Sequence, residues 1–306
     1  MSRYAAIDIG TNSVLLLVAE RDAHGRWQAV SERAEITRLG KGVDRARALS
    51  PEAIEATLEV VGRFAAEARA LGARDLAISA TSAARDASNG AGFLDGVEDR
   101  AQVAAQILSG DEEARLSFAS ALADFGGKSP LVAIDIGGGS TEFIFGDAAG
   151  AISFRKSFDV GSVRMTERFL AGDPPSPDEL ARLAAFLRET FAPLPRPVAG
   201  ARVVGVAGTV TTVCAVARTI EPYDATLVHG AELTRAEIEA TVSRLAHLPS
   251  VLRRTLPGLQ PKRADVIVAG GVILQLALER LDASTVTVSD RGLRWGLLAD
   301  RFGNAP

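Results

Sequence analysis

The sequence predicts an α/β protein of two tandem, matching domains, each a mixed sheet flanked by helices, with a cleft between them. Three observations predict it. The segment Ala6-Ile7-Asp8-Ile9-Gly10-Thr11-Asn12-Ser13 returns near mid-chain as Ala133-Ile134-Asp135-Ile136-Gly137-Gly138-Gly139-Ser140-Thr141. Each copy reads as a buried strand, a tight turn and a second apolar strand, over residues 14–20 in the first and 142–145 in the second. Elsewhere, short apolar runs alternate with helical patterns, and 306 residues suffice for two cores.

Residues 26–33 continue the first hairpin as an antiparallel meander. Ser50-Pro51-Glu52 opens a helix, with Ser as N-cap and Pro at the first helical position. Ile54, Leu58, Val61, Ala65, Ala68 and Leu71 form its apolar stripe, which ends at Gly72. Residues 76–80 read as a strand running into the polar turn Thr81-Ser82-Ala83-Ala84-Arg85-Asp86. Ser109-Gly110-Asp111-Glu112 is a capping box heading a helical segment over 114–125. The turn residues Asp124-Phe125-Gly126-Gly127-Lys128 place the crossover between domains there, giving domains 1–124 and 125–306. Beyond it, Ser176-Pro177-Asp178-Glu179 and Thr234-Arg235-Ala236-Glu237 cap two more helices, while residues 203–212 predict a buried strand entering a small-residue turn before a helix. Residues 266–269 and 285–288 read as strands alternating with helices over 272–281 and 293–301.

Bulk properties exclude some functions. A net charge of −4 gives no general attraction to a nucleic-acid duplex or a membrane surface, so a polyanion must be met by a local pocket. No apolar run reaches membrane-spanning length and no basic-then-apolar leader opens the chain, which sets the expectation of a cytoplasmic protein. Cys214, the one cysteine, sits in an apolar run and reads as core; His24, His229 and His247 lack zinc-ligand spacing. A hard cation bound by oxygen is expected instead.

The repeated turn carries the chemistry. Its glycines let backbone N–H groups converge, its hydroxyls add donors, and its aspartate can hold a divalent cation directly or through water. Asp8 and Asp135 are therefore candidate metal ligands, with Gly10, Thr11, Asn12, Ser13, Gly137, Gly138, Gly139, Ser140 and Thr141 as candidate phosphate contacts. The guest these turns suit is a metal-bound phosphate chain. Arg85, just after a buried strand, is well sited for phosphate. Glu112 has a structural task as the partner of Ser109, whereas Glu113 does not; a glutamate there serves either the helix dipole or catalysis.

Together, Ala6 to Ser13, Ala80 to Asp86, Ser109 to Arg115, Asp135 to Glu142, Gly161-Ser162-Val163-Arg164-Met165-Thr166-Glu167, Ala207-Gly208-Thr209, Val228-His229-Gly230 and Ser289-Asp290-Arg291-Gly292-Leu293-Arg294 resemble, in order, the signature blocks of the exopolyphosphatase and guanosine pentaphosphate phosphohydrolase family. That resemblance implies the actin-like, ribonuclease H-like fold and hydrolysis of the terminal phosphoanhydride of inorganic polyphosphate with Mg²⁺ or Mn²⁺. It implies Glu113 as catalytic base, Asp135 and Glu142 as acidic residues near the metal, and Arg85, the turn at 137–141, Gly208 and Thr209 as phosphate contacts; Arg164, a cation inside a motif block, is a further candidate contact along the phosphate chain. It also implies a homodimer, and guanosine pentaphosphate, cleaved to the tetraphosphate, as a second candidate substrate.

One position departs from the family pattern: Leu15 stands where members often carry a basic residue. Of the remaining cations, Arg38, Lys41, Arg253, Arg254, Lys262 and Arg263 are candidates along a phosphate chain. Two further classes stay open at this level, an ATP-dependent kinase or ATPase using Ala269-Gly270-Gly271-Val272 as an adenosine turn, and a non-catalytic sensor of polyphosphate or alarmone.

Overall fold

The structure, a computed structural model, describes residues 2–127 and 129–303. Its first sheet is built from β1 (Arg3–Ile9), β2 (Ser13–Arg21), β3 (Trp27–Ile36), β4 (Ala73–Ala80) and β5 (Ala105–Ile107), in the order β3-β2-β1-β4-β5. β1, β2 and β3 form the expected antiparallel meander, and β4 and β5 join in parallel. Both faces of β1 and β2 are covered, which is why their sequences are almost uniformly apolar. Ala5, Ile7, Ile9, Val14, Leu16 and Val18 point into a core shared with Val61, Phe64 and Ala65 of the helix Pro51–Ala70. The alternate residues Tyr4, Ala6, Leu17 and Ala19 point into a second cluster with Trp295, Leu297, Leu298 and Phe302 of the helix Leu293–Phe302. Ser50 caps the helix Pro51–Ala70, its hydroxyl accepting from the Ala53 amide at 3.2 Å.

The second sheet holds β6 (Leu131–Ile136), β7 (Thr141–Gly146), β8 (Ile152–Phe158), β9 (Arg202–Val206), β10 (Glu232–Thr234) and β11 (Thr285–Val288), ordered β10-β11-β9-β6-β7-β8. Again an antiparallel meander, β6-β7-β8, is extended by parallel strands, β9 and then β11. Each repeat of the sequence thus yields the same half-sheet, and the expected α/β class of two mixed, helix-flanked sheets is what the chain forms.

Three local expectations are corrected. Residues 266–269 are not a strand; they lie at the head of the helix Ile267–Leu281. That helix is buried along nearly its whole length, so its continuous apolar run carries no period to separate it from a buried strand. Residues 82–86 form the short helix Ser82–Asp86 rather than a turn. Gly208 and Thr209 are not in a turn either, because the helix Ala207–Arg218 begins directly after β9.

The chain divides into two compact units, Met1–Leu116 with Leu293–Pro306, and Ser117–Gly292. They part inside the helix Gly110–Phe125, upstream of the expected crossover, of which Lys128 lies outside the described residues. The C-terminal helix counts with the first unit because its apolar face fills the second cluster on β1 and β2.

Candidate active site

In the first unit, β1 delivers Asp8 opposite Ser79 of β4 and opposite Leu15 of β2. The turn that follows closes with the Gly10 amide donating to the Ser13 carbonyl at 2.9 Å. The carbonyls of Thr11 and Asn12 are taken from outside the turn, by the amides of Gly40 (2.8 Å), Thr37 (3.2 Å) and Arg38 (3.0 Å). A Cβ on Gly40 would lie 2.2 Å from Thr11 Cγ2, so only glycine lets that segment approach. With the carbonyls held back, the amides of Thr11 and Asn12 make no backbone bond outside the strands among the described residues. Asn12 Nδ2, Ser79 Oγ and Ser82 Oγ are buried there without a hydrogen-bond partner, a concentration of unsatisfied polar atoms that native interiors avoid unless a ligand or water meets them.

Arg85 and Glu113 are brought together in the same unit. β4 and the helix Ser82–Asp86 carry Arg85, whose Nη1 donates to the Leu108 carbonyl at 2.9 Å and to Glu113 Oε2 at 3.2 Å. Glu112 performs the capping task read from the sequence: its Oε2 accepts from the Ser109 amide at 3.0 Å while Ser109 Oγ accepts from the Glu112 amide at 3.3 Å. The Ser109 amide and the Ser109 hydroxyl, both donating to its Oε2, hold the Glu112 carboxyl below its usual range. Glu113, rotated about 100° around the helix, is instead buried, 8 % exposed, against the arginine.

The second unit repeats the turn. The Gly137 amide donates to the Ser140 carbonyl at 3.0 Å, and a Cβ on either Gly10 or Gly137 would meet the corresponding serine carbonyl at the same 3.3 Å. Here the bracing element is the helix Ser162–Phe169, whose first amides, of Ser162 (3.0 Å), Val163 (2.9 Å) and Arg164 (3.1 Å), donate to the carbonyls of Gly137 and Gly138. Gly161 must be glycine, since its Cβ would stand 2.4 Å from the Gly138 backbone. Arg164 Nε donates to the Gly139 carbonyl at 2.7 Å, which places this arginine as a brace of the turn. Thr141 Oγ1 donates to the Val160 carbonyl at 2.6 Å. Among the described residues the amides of Gly138, Gly139 and Ser140 make no backbone hydrogen bond, and successive N–H groups left unbonded in such a turn make an anion-binding concavity.

Asp135 and Glu142 are direct partners across β6 and β7. Asp135 Oδ2 accepts from Ser117 Oγ at 2.5 Å, and Glu142 Oε1 accepts from Ser157 Oγ at 2.6 Å. Burial pushes the Asp135 carboxyl above the usual carboxylate range, opposed by the Ser117 bond. Two adjacent buried carboxylates call for a cation, and their all-oxygen donor set fits a hard divalent ion. No group of three His, Cys, Asp or Glu side chains converges among the described residues. A pair of carboxylates completed by water and phosphate oxygens is the coordination Mg²⁺ commonly takes.

Gly208 and Thr209 open the helix Ala207–Arg218 beside the braced turn: a Cβ on Gly270 would lie 2.7 Å from Thr209 Cγ2 and 3.2 Å from Ser162 Cβ. A Cβ on Gly208 would meet Arg263 Nη1 at 2.2 Å, so that guanidinium lies directly over the helix start. Desolvation pulls the Arg263 pKa below the ordinary arginine value, with Tyr223 opposing, and it forms no ion pair among the described residues. No motif singles it out from Arg253, which is instead committed to Asp173 at 2.6 Å. The suspected adenosine turn at 269–272 is absent, since Gly270 and Gly271 sit inside the helix Ile267–Leu281, where Gly271 lets it approach Val242.

The family model of the Ppx/GppA phosphatases matches residues 17–305. The chain belongs to that family. This Ppx/GppA phosphatase is 36 % identical to Exopolyphosphatase 2 of Mycobacterium tuberculosis over 319 aligned positions, covering 99 % of both chains. The crystal structure of the Aquifex aeolicus Ppx/GppA family member superposes with a TM-score of 0.84 at 31 % identity, covering 100 % of this chain and 99 % of that one. An exopolyphosphatase structure from Cytophaga hutchinsonii gives a TM-score of 0.90 at 24 % identity, with 100 % and 99 % covered, and supports the fold. This family member is an enzyme that hydrolyses phosphoanhydride bonds. Among its described residues no helix is long and apolar enough to cross a membrane.

Proposed function

We propose that this Ppx/GppA phosphatase is an exopolyphosphatase, removing the terminal phosphate of inorganic polyphosphate by in-line attack of water. The observation that carries the reading is the Arg85–Glu113 pair. A buried glutamate is held at 3.2 Å by an arginine that a phosphate can also engage. Glu113 orients the attacking water and takes its proton; Arg85 offsets charge on the transferred group. The amides of the two turns, Thr209 and Arg263 receive phosphate oxygens, and Arg164 keeps the second turn in shape. The Asp135–Glu142 pair would hold Mg²⁺ or Mn²⁺, which supplies neutralisation of the phosphate charge. Phosphoryl transfer passes through a loose transition state, so positioning and electrostatics account for most of the catalysis.

This reading takes the chain as domains 1–124 and 125–306 of a homodimeric cytoplasmic protein. Similarity to Exopolyphosphatase 2 over the whole length supports polyphosphate as the substrate. The test is orthophosphate release from long-chain polyphosphate and from guanosine pentaphosphate at equal concentration, each with Mg²⁺ and with a chelator. Faster, cation-dependent release from polyphosphate is expected. Preference for the pentaphosphate moves the assignment to the alarmone, and release that ignores the chelator removes the metal from it.

A further inference from the structure

Nothing in the sequence motifs draws attention to Ser117 or Ser157, yet each donates its hydroxyl to one oxygen of a buried carboxylate. Ser117, fully buried, reaches Asp135 Oδ2 at 2.5 Å, and Ser157 reaches Glu142 Oε1 at 2.6 Å. Both distances fall in the short range of hydroxyl-to-carboxylate bonds. The register makes this a single rung across the sheet: Ser157 of β8 stands opposite Glu142 of β7, which stands opposite Asp135 of β6. Ser117 closes the rung from the helix Gly110–Phe125.

A serine hydroxyl has one proton to give, so each serine fixes one carboxylate oxygen and with it the plane of the carboxylate. Left to themselves, two neighbouring buried carboxylates would turn apart or share a proton. Oriented by these bonds, the two carboxylates meet a cation with less reorganisation on binding. Outer hydrogen bonds of this kind orient metal ligands and are worth about 10- to 100-fold in metal affinity.

We infer that Ser117 and Ser157 are positioning residues that set the Asp135–Glu142 pair in advance for a divalent cation. This rests on the reading that the pair holds the ion, and the experiment separates the two claims. Mn²⁺ binding to the full-length protein is titrated by electron paramagnetic resonance, without substrate, for wild type, Ser117→Ala, Ser157→Ala, Ser157→Thr and Asp135→Asn, with thermal melts in chelator alongside. The two alanine variants are expected to weaken Mn²⁺ binding about tenfold while remaining folded at the titration temperature. Ser157→Thr, which keeps the hydroxyl on a strand, is expected to bind as wild type. Unchanged Mn²⁺ affinity in either alanine variant overturns the inference, as does failure of the threonine to restore it or loss of fold that accounts for weaker binding. Wild-type affinity in Asp135→Asn overturns the cation reading beneath it.

Discussion

Asp135 faces Glu142 across β6 and β7 at the register where the first hairpin pairs Asp8 with Leu15. The two turns are therefore the same in backbone and unequal in charge. Only the second hairpin carries a carboxylate pair; the first offers an aspartate beside an aliphatic side chain that retains partial exposure.

Leu15→Lys would put a cation beside the first turn without touching the core, because Leu15 is not among the buried residues of β2. The expected result is a lower KM for long-chain polyphosphate, by at most about fivefold, as an exposed charge pair contributes up to ~1 kcal/mol. The gain should shrink as salt is added. Steady-state kinetics at two ionic strengths check both.

Glu113→Gln keeps the size of the side chain and an acceptor for Arg85 but removes the base. Turnover is expected to fall roughly 10²-fold or more, with KM within a few fold of wild type. Rapid-quench measurement of phosphate release decides it, and wild-type turnover would remove Glu113 from the mechanism.

Gly270→Ala and Gly271→Ala should both destabilise, by about 1–3 kcal/mol each, as overpacking does. They should part in activity. The new methyl at 270 meets Thr209 and Ser162, which adjoin the braced turn, whereas the one at 271 meets Val242 in the core. Chemical denaturation together with kinetics is expected to show lost activity in the first variant and near-normal activity in the second.

Glu179 is held at a pKa of about 2, chiefly by the Ser176 amide, then by the Gly172 amide and the Ser176 hydroxyl. Its folded pKa lies below the unfolded value near 4.5, so it contributes stability above that value and loses the contribution as pH falls towards 2. Glu179→Gln should lower the thermal midpoint at pH 7, and the gap from wild type should close between pH 4.5 and 2. Melting curves across that range test the sign as well as the effect.

Much of this was legible in the residues. The repeat foretold the paired hairpins because Gly10 and Gly137 each begin a turn that only a narrow set of residues allows. Ser109 and Glu112 announced their capping box, which in turn isolated Glu113. What escaped was tertiary. Residues 266–269 lacked a period because every side of their helix is covered, and Ser117 reads as a small residue in an apolar helix until β6 brings Asp135 to it. Arg263 is one cation among many until the bare Cα of Gly208 shows what lies over it.

The return of the last helix to the first unit has a consequence for synthesis. Tyr4 and Leu17 leave the ribosome early, but Trp295 and Phe302, which cover them, emerge only after the entire intervening unit has been made. Full burial of such side chains is worth roughly 1.5–3 kcal/mol apiece, so one side of β1 and β2 waits, uncovered by this helix, until the intervening unit has been made. The order of birth and the order of completion are thus reversed: the unit that holds β1 and β2 is completed only after the unit inserted within it.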